Sequence, residues 1–179
     1  MFAMKWTWDS LARGRGLLLS IVFLALAALS LYHGSWTRPP LYLAPGEIRP
    51  VVEREAARYG LNPDFVMAVV AAESSFNARA SNQRARGLMQ LTPPAWETVT
   101  DQPFREAWDW KTNVEAGTAY LGHLKAWLER RERFSYPVLA ACYRHGPGRV
   151  AEAGFDISRL PPTRNEVYRQ LDQGKIPKF

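Results

Sequence analysis

One uninterrupted apolar stretch, residues 65–72, limits most strongly what this chain can fold into. The stretch contains no polar side chain and ends at the acidic residue Glu73. Asn62 is a favoured N-cap, and Pro63 suits the first position of a helix. The pattern therefore predicts a buried helix from Asn62 to about Ser75, on which the rest of the domain depends.

Other stretches have the apolar spacing of helices, and none alternates as a half-buried strand would. Gly60 is a typical helix stop, and the segment from Thr163 to Glu166 has the pattern of a capping box. We therefore predict an all-α domain over residues 47–179. Its other predicted helices are Glu47–Tyr59, one opened by Thr92 and Pro93, Asn113–Arg133, Pro137–His145, and a last one opened by the capping box.

Glu73 is the first candidate functional residue, because it leaves an apolar helix near the C-terminal end. The loss of water and the negative end of the helix dipole both disfavour its carboxylate. A carboxyl that stays protonated near neutral pH is what a general acid for glycosidic cleavage needs. A lone glutamate at such a position is more often exposed on the last turn of a core helix, so its role depends on neighbouring motifs.

The N-terminal part of the chain predicts a membrane-directed segment. Residues 17–32 form an uncharged apolar run of about sixteen residues, preceded by Arg13 and Arg15. The basic residues keep the N-terminal side in the cytoplasm. We predict a cytoplasmic n-region over 1–16, a signal-anchor or a cleaved signal peptide over 17–33, and a proline-containing linker over 34–46. An anchor is favoured, because Ala25-Leu26-Ala27, which fits the small-residue pattern of a cleavage site, lies inside the apolar run.

Composition excludes several functional classes. The net charge of +6 is spread along the chain, which suits a polyanionic wall or a membrane surface without requiring either. The sequence has no basic patch interleaved with aromatic residues, so it does not indicate a nucleic-acid partner. The single cysteine, Cys142, cannot form an internal disulfide, and it lies in a predicted apolar helix as a buried small hydrophobe. The histidines lack the spacing of metal ligands, so we predict no metal and no cofactor.

Four short motifs follow one another along the chain. They are Glu73-Ser74-Ser75-Phe76, then Gly87-Leu88-Met89-Gln90-Leu91, then Asn113-Val114 with Gly117 and Tyr120-Leu121, and finally Ala141-Cys142-Tyr143-Arg144-His145-Gly146. In this order they resemble the lytic transglycosylases of the soluble-transglycosylase (SLT), goose-lysozyme-like family, over roughly residues 47–170. One such motif alone would be a weak signal, whereas four in order are specific.

The resemblance implies a lysozyme-like helical fold and a single-carboxylate mechanism. In this family the glutamate first donates a proton to the bridging oxygen between N-acetylmuramic acid and N-acetylglucosamine. It then removes the proton of the muramoyl 6-hydroxyl, which closes a 1,6-anhydro ring without consuming water. The acetamido group of the substrate is thought to assist at the anomeric carbon. Glu73 is the residue that matches this position.

The resemblance also implies four substrate-binding residues. Met89 and Gln90 match positions that line the family's cleft, and Tyr143 matches a tyrosine whose hydroxyl reaches the glutamate and the substrate. Ser74, beside the acid, could hydrogen-bond either the acid or the acetamido group. Two of these residues have equally ordinary structural roles: Ser74 could bond the helix backbone, and Met89 taken alone is more often a core residue.

The implied partners are peptidoglycan glycan strands and, through the N-terminal segment, a membrane. Enzymes of this kind often open the wall locally for secretion or conjugation machinery, which makes such machinery a candidate partner. The implied location is the bacterial inner membrane, with a single crossing and the catalytic domain in the periplasm. A cleaved, soluble periplasmic form is the alternative.

Two departures from the family pattern leave other functions open. Arg144 stands where the family has asparagine, and a cation near Glu73 would favour its ionised form unless it points to solvent or to peptide carboxylates. The late family signature is blurred by Pro162 and Glu166, although Tyr168 could compensate for the tyrosine it lacks. These departures support an inactive glycan-binding or scaffolding module as the alternative of a different class.

A goose-type lysozyme that hydrolyses the bond with water is the alternative with the same fold. Glycosidic hydrolysis usually uses two carboxylates, and only Glu73 stands in a suitable context. Asp64 is expected to stabilise the start of its helix, and Glu97 and Glu115 follow predicted helix starts as solvated or capping groups. The sequence therefore identifies no second carboxylate that would activate a water molecule.

Overall fold

The structure is a computed structural model that describes residues 41–179. Within this range the chain forms seven α-helices and two short 3-10 helices. The α-helices are α1 (Pro45–Tyr59), α2 (Pro63–Ser74), α3 (Pro93–Glu97), α4 (Trp110–Glu129), α5 (Tyr136–His145), α6 (Pro147–Glu152) and α7 (Glu166–Asp172), and the 3-10 helices are Phe104–Trp108 and Ile157–Arg159.

No strand is formed between residues 41 and 179, which confirms the predicted all-α class. The only extended pairings in this range are isolated bridges, which join Tyr42 to Asn77 and Arg86 to both Ser81 and Leu91. These bridges join irregular segments around the Gly87–Leu91 turn and after the end of α2. Both loops are therefore held by backbone pairing beside the helical core.

Helix α2 lies at the centre of the domain, as its sequence predicts. Residues 65–71 are all buried, and α2 packs against α1 on one side and α7 on the other. The Asn62 side chain accepts a hydrogen bond from the Asp64 backbone N–H at 2.8 Å, so the predicted N-cap is present. Gly60 ends α1 in the left-handed conformation with φ +59°, as its sequence position also predicts.

Helix α4 is the longest helix of the described chain and is shifted from its predicted bounds. It begins at Trp110, because the Asp109 side chain accepts a hydrogen bond from the Thr112 backbone N–H at 2.8 Å and so caps the helix earlier than expected. It ends at Glu129, and the next residues form a turn. Its apolar stripe packs towards α1 and α5, and the buried members of that stripe are Val114, Leu121, Leu124 and Leu128.

Helix α5 carries the last of the four motifs. The Ser135 side chain caps its start, and Gly146 ends it with φ +86°. Cys142 is fully buried on this helix, and burial raises the pKa of its thiol to about 11. The predicted role of Cys142 as a buried small hydrophobe is confirmed.

The start of α7 differs from the predicted capping box. The N-cap is Asn165, whose side chain accepts from the Tyr168 backbone N–H at 3.1 Å, and not Thr163. The Thr163 hydroxyl instead accepts from the Asn165 backbone N–H at 3.1 Å. Asparagine is as good an N-cap as threonine, so the helix begins two residues later than a Thr163 cap would place it. Helix α6 and the 3-10 helix Ile157–Arg159 were not predicted, since segments this short carry no periodic pattern.

The predicted linker over residues 34–46 ends inside the domain. The Leu43 backbone N–H donates to the Phe76 carbonyl at 3.0 Å, the Ala78 N–H donates to the Leu41 carbonyl at 2.7 Å, and α1 already begins at Pro45. The predicted n-region over 1–16, the signal-anchor or signal peptide over 17–33 and the first part of the linker lie outside the described residues. Within residues 41–179, no helix combines the length and apolar character that a membrane crossing needs.

Candidate active site

Glu73 lies in the last turn of α2, at the point where the chain turns away from the helix. Ser75 and Phe76, just beyond it, both have left-handed backbone conformations, with φ +50° and +63°. Two hydrogen bonds bring α7 to this point. The Tyr168 hydroxyl donates to Glu73 Oε1, and the Asn165 side-chain amide donates to the Ala72 carbonyl at 2.9 Å. The half-buried carboxyl is therefore held between the end of one helix and the start of another.

The electrostatic environment of Glu73 follows from this burial. Loss of water raises the pKa of Glu73, while the hydrogen bond from Tyr168 and the positive charge of Arg144 lower it by less, so the net direction is upward. This is the direction predicted from the sequence. Burial and the nearby Glu73 charge also raise the pKa of Tyr168 well above its ordinary value, so its hydroxyl stays neutral and can donate.

The raised pKa of Glu73 predicts a pH-dependent cost to stability. The folded protein keeps the Glu73 proton at pH values at which the unfolded chain has released it, so the free energy of unfolding falls as pH rises through that window. Glu73→Gln has no such proton to lose. We expect the melting temperature of Glu73→Gln, relative to that of the parent, to increase between pH 4 and pH 8.

Differential scanning calorimetry at both pH values measures this effect. In a domain of this size about 1 kcal/mol corresponds to a change in Tm of roughly 2–4 °C, which is readily detected. Glu97→Gln makes the same chemical change on an exposed side chain at the end of α3 and is the matched control. Equal Tm differences at pH 4 and pH 8 for Glu73→Gln would contradict the prediction.

The Gly87–Leu91 turn is fixed by one buried side chain, that of Asn113 on α4. Asn113 is fully buried. Its Oδ1 accepts from the Met89 backbone N–H at 2.8 Å, and its Nδ2 donates to the carbonyls of Arg86 and Ala107, each at 3.0 Å. Three backbone groups are thus satisfied by one amide. Asn113 belongs to the third of the four sequence motifs, and no role was predicted for it.

Two glycines allow this arrangement by leaving out a side chain. A Cβ atom at Gly87 would lie 2.3 Å from Asn113 Nδ2 and 2.7 Å from the Ala107 carbonyl oxygen, and the residue has φ +80°. A Cβ atom at Gly117, one turn after Asn113 on α4, would lie 2.3 Å from the Met89 sulfur. The turn therefore sits directly on the backbone of α4.

Two of the predicted substrate-binding residues are used to build this turn. Met89 is fully buried against Gly117, and so its side chain lies in the core. Gln90 has φ +45°, and its Nε2 donates to the Ala80 carbonyl at 2.9 Å and the Gly87 carbonyl at 3.0 Å. The side chain of Gln90 is only partly buried. The structure thus gives Met89 the ordinary core position considered from sequence, and gives Gln90 a place at the surface of the turn.

The other two predicted substrate-binding residues have backbone partners. The Ser74 hydroxyl donates to the Val70 carbonyl at 3.0 Å, which is the alternative role considered from sequence. The Tyr143 hydroxyl donates to the Met89 carbonyl at 2.7 Å. The implied contact between Tyr143 and Glu73 is therefore corrected, because the hydroxyl that hydrogen-bonds Glu73 belongs to Tyr168. Tyr168 is the residue considered from sequence as a substitute for the tyrosine that the late signature lacks.

An open cavity of about 210 Å³ adjoins these residues. Gln90 and Tyr143 contribute to its wall, together with Tyr120 and Arg144. The Tyr120 and Tyr143 rings meet edge to face, with centroids 5.8 Å apart. Burial, and after it the charge of Glu73, raise the pKa of Tyr143, which is one residue of this wall.

Arg144, the residue that departs from the family pattern, makes its ion pair with a residue other than Glu73. Its guanidinium pairs with Asp172 on α7, with Nη1 3.2 Å from Asp172 Oδ2. Its Nε donates to His145 Nε2 at 2.8 Å. Burial and the charges of Arg144 and Arg149 lower the pKa of His145, which keeps it a neutral acceptor.

The other carboxylates considered from sequence lie away from Glu73. Asp64 is in the first turn of α2 and pairs with Arg49 at 3.0 Å. Glu115 on α4 pairs with Arg54 on α1 at 2.7 Å. Glu97 is exposed at the end of α3. Within residues 41–179, no group of three or more His, Cys, Asp or Glu side chains is placed to hold a metal ion.

The domain is helical and contains a shielded glutamate and a turn that two glycines allow. Comparison with known protein families identifies the class of protein to which it belongs. The family model described as Transglycosylase SLT domain matches residues 50–156. The chain therefore belongs to the SLT transglycosylase family. The match covers α2 with Glu73, the Gly87–Leu91 turn, and the helices that carry Asn113 and Tyr143.

Curated proteins with similar sequences are named as membrane-bound lytic murein transglycosylases. The chain is 31% identical over 145 residues to a membrane-bound lytic murein transglycosylase F of Desulfosudis oleivorans, covering 72% of this chain and 31% of that protein. It is 31% identical over 146 residues to a membrane-bound lytic murein transglycosylase C of Actinobacillus succinogenes, covering 70% and 40%. The chain thus spans between about a third and two fifths of the length of these relatives.

A solved structure is similar as well. The lytic transglycosylase Slt of Pseudomonas aeruginosa, in the form of an inactive mutant with glutamine in place of a glutamate, superposes with a TM-score of 0.53 at 25% sequence identity. The similarity covers 69% of this chain and 20% of that one. The lysozyme-like helical domain predicted from sequence agrees with this neighbour.

Proposed function

We propose that this protein is a peptidoglycan lytic transglycosylase that uses Glu73 as its single acid and base. It cleaves the β-1,4 bond between N-acetylmuramic acid and N-acetylglucosamine without water and leaves a 1,6-anhydromuramoyl end. The observation that carries the proposal is the environment of Glu73, a shielded carboxyl with a raised pKa and one oxygen held by Tyr168. Membership of the SLT family and the names of the curated relatives support it.

The first step is proton donation to the bridging oxygen. Because the Tyr168 hydroxyl occupies Oε1 of Glu73, the proton to be transferred resides on Oε2. The bond from the anomeric carbon to the bridging oxygen breaks as that oxygen takes the proton, and N-acetylglucosamine leaves with a free hydroxyl. Tyr168 continues to donate to the carboxylate formed, and a hydrogen bond to a charged acceptor is stronger than one to a neutral one.

The second step uses the same carboxylate as a base. Glu73 takes the proton of the muramoyl 6-hydroxyl while the oxygen of that hydroxyl bonds to the anomeric carbon, and the substrate's acetamido group assists at that carbon. The acid is thereby regenerated, and atoms balance without water. The positions of Asp64, Glu97 and Glu115 favour this route over hydrolysis, since none of these three carboxylates is placed beside Glu73 to activate a water molecule.

We assign the four remaining predicted residues to the glycan-binding side of the site. Gln90 and Tyr143 would contact sugar from the cavity that they line. Met89 and Ser74 would support the site indirectly. The Met89 backbone carbonyl holds the Tyr143 hydroxyl, and the Ser74 hydroxyl bonds within the last turn of α2. Gln90 is the most suitable of the four for direct contact, because an amide can both donate to and accept from a sugar hydroxyl.

Product analysis tests the reaction class. Full-length protein in detergent is incubated with purified peptidoglycan, the products are treated with borohydride, and their masses are measured. We expect anhydromuramoyl ends that are one water lighter than hydrolysis products and that borohydride does not reduce. Reducible muramoyl ends would instead show a goose-type lysozyme, and absence of cleavage with retained binding would show a glycan-binding or scaffolding module.

We propose that the domain acts in the periplasm, attached to the inner membrane by the segment predicted over residues 17–33. The relatives named as membrane-bound support this location. Fractionation followed by intact-mass measurement tests it: an uncleaved mass in the membrane fraction is expected, and a shortened mass in the soluble periplasm would show the cleaved form. Secretion or conjugation machinery is the candidate partner, to be sought by crosslinking in the same membranes.

Tyr168→Phe tests the bond that holds the acid. The substitution removes one hydroxyl and keeps the ring, and a hydrogen bond to a charged group is worth about 1.5–3 kcal/mol. We therefore expect kcat on peptidoglycan to fall about 10- to 100-fold. Tyr42→Phe makes the same change on an exposed side chain and should leave the rate as in the parent. An unchanged rate for Tyr168→Phe would show that Glu73 does not depend on this bond.

A further inference from the structure

Arg144 and Asp172 form a mostly buried ion pair next to the candidate acid. Both terminal guanidinium nitrogens approach Asp172 Oδ2, Nη1 at 3.2 Å and Nη2 at 3.3 Å. The side chains are only 15% and 26% exposed. Within the described residues the second carboxylate oxygen, Oδ1, is buried without a hydrogen-bond partner. Arg144 is therefore what holds this carboxylate in place.

The pair is connected to Glu73 through Tyr168. Asp172 follows Tyr168 by four residues on α7, so the two side chains lie on the same face of the helix. The Arg144 guanidinium carbon lies 5.0 Å from the centre of the Tyr168 ring, within the range of a cation–π contact. The arginine thus links α5 to α7 across the ring whose hydroxyl donates to Glu73.

The positive charge of Arg144 near Glu73 requires compensation. Glu73 is faced by Tyr143 and Arg144 from α5 and by Tyr168 from α7. Arg144 is the only cation among these groups, and a bare guanidinium here would favour the ionised carboxylate.

The groups around Arg144 itself leave that compensation to Asp172. His145 is held neutral by burial and by the neighbouring charges of Arg144 and Arg149. Arg169 lines the same cavity as Arg144 and Asp172, and its guanidinium is paired with Glu166. Among residues 41–179, the carboxylate that pairs with Arg144 is that of Asp172, which therefore offsets the arginine's charge.

We propose that Asp172 is a positioning residue for the reaction: it holds the Arg144 guanidinium against the Tyr168 ring and compensates its charge, so that Glu73 keeps its proton beside an arginine. This inference rests on the proposed role of Glu73 as the acid. It also explains how a chain with arginine after the Tyr143 position can retain that role. The two residues act together, because Arg144 alone or Asp172 alone would leave an unbalanced charge near Glu73.

Charge variants of the full-length protein test the proposal. Asp172→Asn keeps the shape of the acceptor but removes its charge, and the pKa of Glu73 should fall by at least about 0.5 unit. Arg144→Asn introduces the residue typical of the family and leaves Asp172 unpaired, so the pKa of Glu73 should rise. The double variant should return close to the parent. The readouts are the 13C-carboxyl titration of Glu73 by NMR, assigned with Glu73→Gln, and the alkaline limb of the kcat profile.

Opposite shifts in the two single variants support the proposal, because a merely structural ion pair would lower Tm without moving the titration. Shifts of the same sign, or none, overturn it. Asp156→Asn, which breaks an exposed pair with Arg159, is the control and should leave the titration unchanged. If Asp172→Asn does not fold, the presence or absence of an upward shift in Arg144→Asn decides.

The two readouts separate this inference from the proposed function. NMR titration follows Glu73 whether or not the protein cleaves peptidoglycan. A parent protein without lytic activity would overturn the proposed reaction, while the direction of the two titration shifts would still decide the role of Asp172.

Discussion

We expect Glu73→Gln to lower the rate of peptidoglycan cleavage by about 10³-fold and to leave the fold intact. The amide cannot donate a proton to the bridging oxygen or remove one from the 6-hydroxyl, so both steps lose their catalyst, and general acid–base catalysis typically contributes 10²–10⁴-fold. The Tyr168 hydroxyl can still donate to the remaining carbonyl oxygen of the glutamine. The loss should therefore appear in kcat, with little change in the binding of glycan strands.

Release of anhydromuramoyl products over time measures this loss, and pelleting with insoluble peptidoglycan measures binding. Glu97→Gln, on the exposed end of α3, is the matched control and should retain the parental rate. Parental amounts of anhydro products from Glu73→Gln would mean that another group transfers the proton. Loss of binding together with activity would indicate that the variant disturbs the glycan site itself.

Gly87→Ala should lower the free energy of unfolding by about 3 kcal/mol or more. The new methyl group would overlap the Asn113 amide at 2.3 Å and a backbone carbonyl at 2.7 Å, in a residue with φ +80°. The Asn113 side chain cannot move aside without giving up its bonds to three backbone groups. Because the Ala107 carbonyl belongs to the backbone, the strain cannot be relieved by a rotamer change alone.

Urea denaturation followed by circular dichroism measures this change in stability. Gly148→Ala is the control: it lies in α6, nothing stands within 4 Å of its added Cβ atom, and its stability should stay within about 0.5 kcal/mol of the parent. A Gly87→Ala protein as stable as the Gly148→Ala protein would show that the turn can open away from Asn113. In that case Asn113 would not hold the Gly87–Leu91 turn rigidly.

The environment of Glu73 was predictable because its signals are local. The cap at Asn62, the apolar run after it and the stop at Gly60 are adjacent in sequence and need no knowledge of distant residues. They predict a buried helix with an acid at its end, and the structure places Glu73 there with a raised pKa. Local capping chemistry also explains two of the displaced helix starts, where Asp109 and Asn165 cap in place of the predicted residues.

The partners of Glu73 were not predictable in the same way, since they come from distant segments. Tyr143 and Tyr168 both follow helical spacing, and only the packing of α7 on α2 decides which hydroxyl reaches the acid. The pairing of Arg144 with Asp172, 28 residues later, is likewise a tertiary fact. For Asn113 a local signal does exist, because its spacing places it on the same helix face as Gly117 and Leu121, where a polar side chain is unusual.

The pairing of residues 41–43 with residues 76–78 bears on how the domain would respond to mechanical load. The Leu43 N–H bonds the Phe76 carbonyl, and the Leu41 carbonyl accepts from Ala78, so tension applied through the preceding chain reaches these bonds first. They lie within five residues of Glu73, the proposed proton donor. A pull through the membrane segment proposed over residues 17–33 would therefore reach the end of α2 through these hydrogen bonds, and force spectroscopy on the full-length protein would test whether load changes the reaction rate.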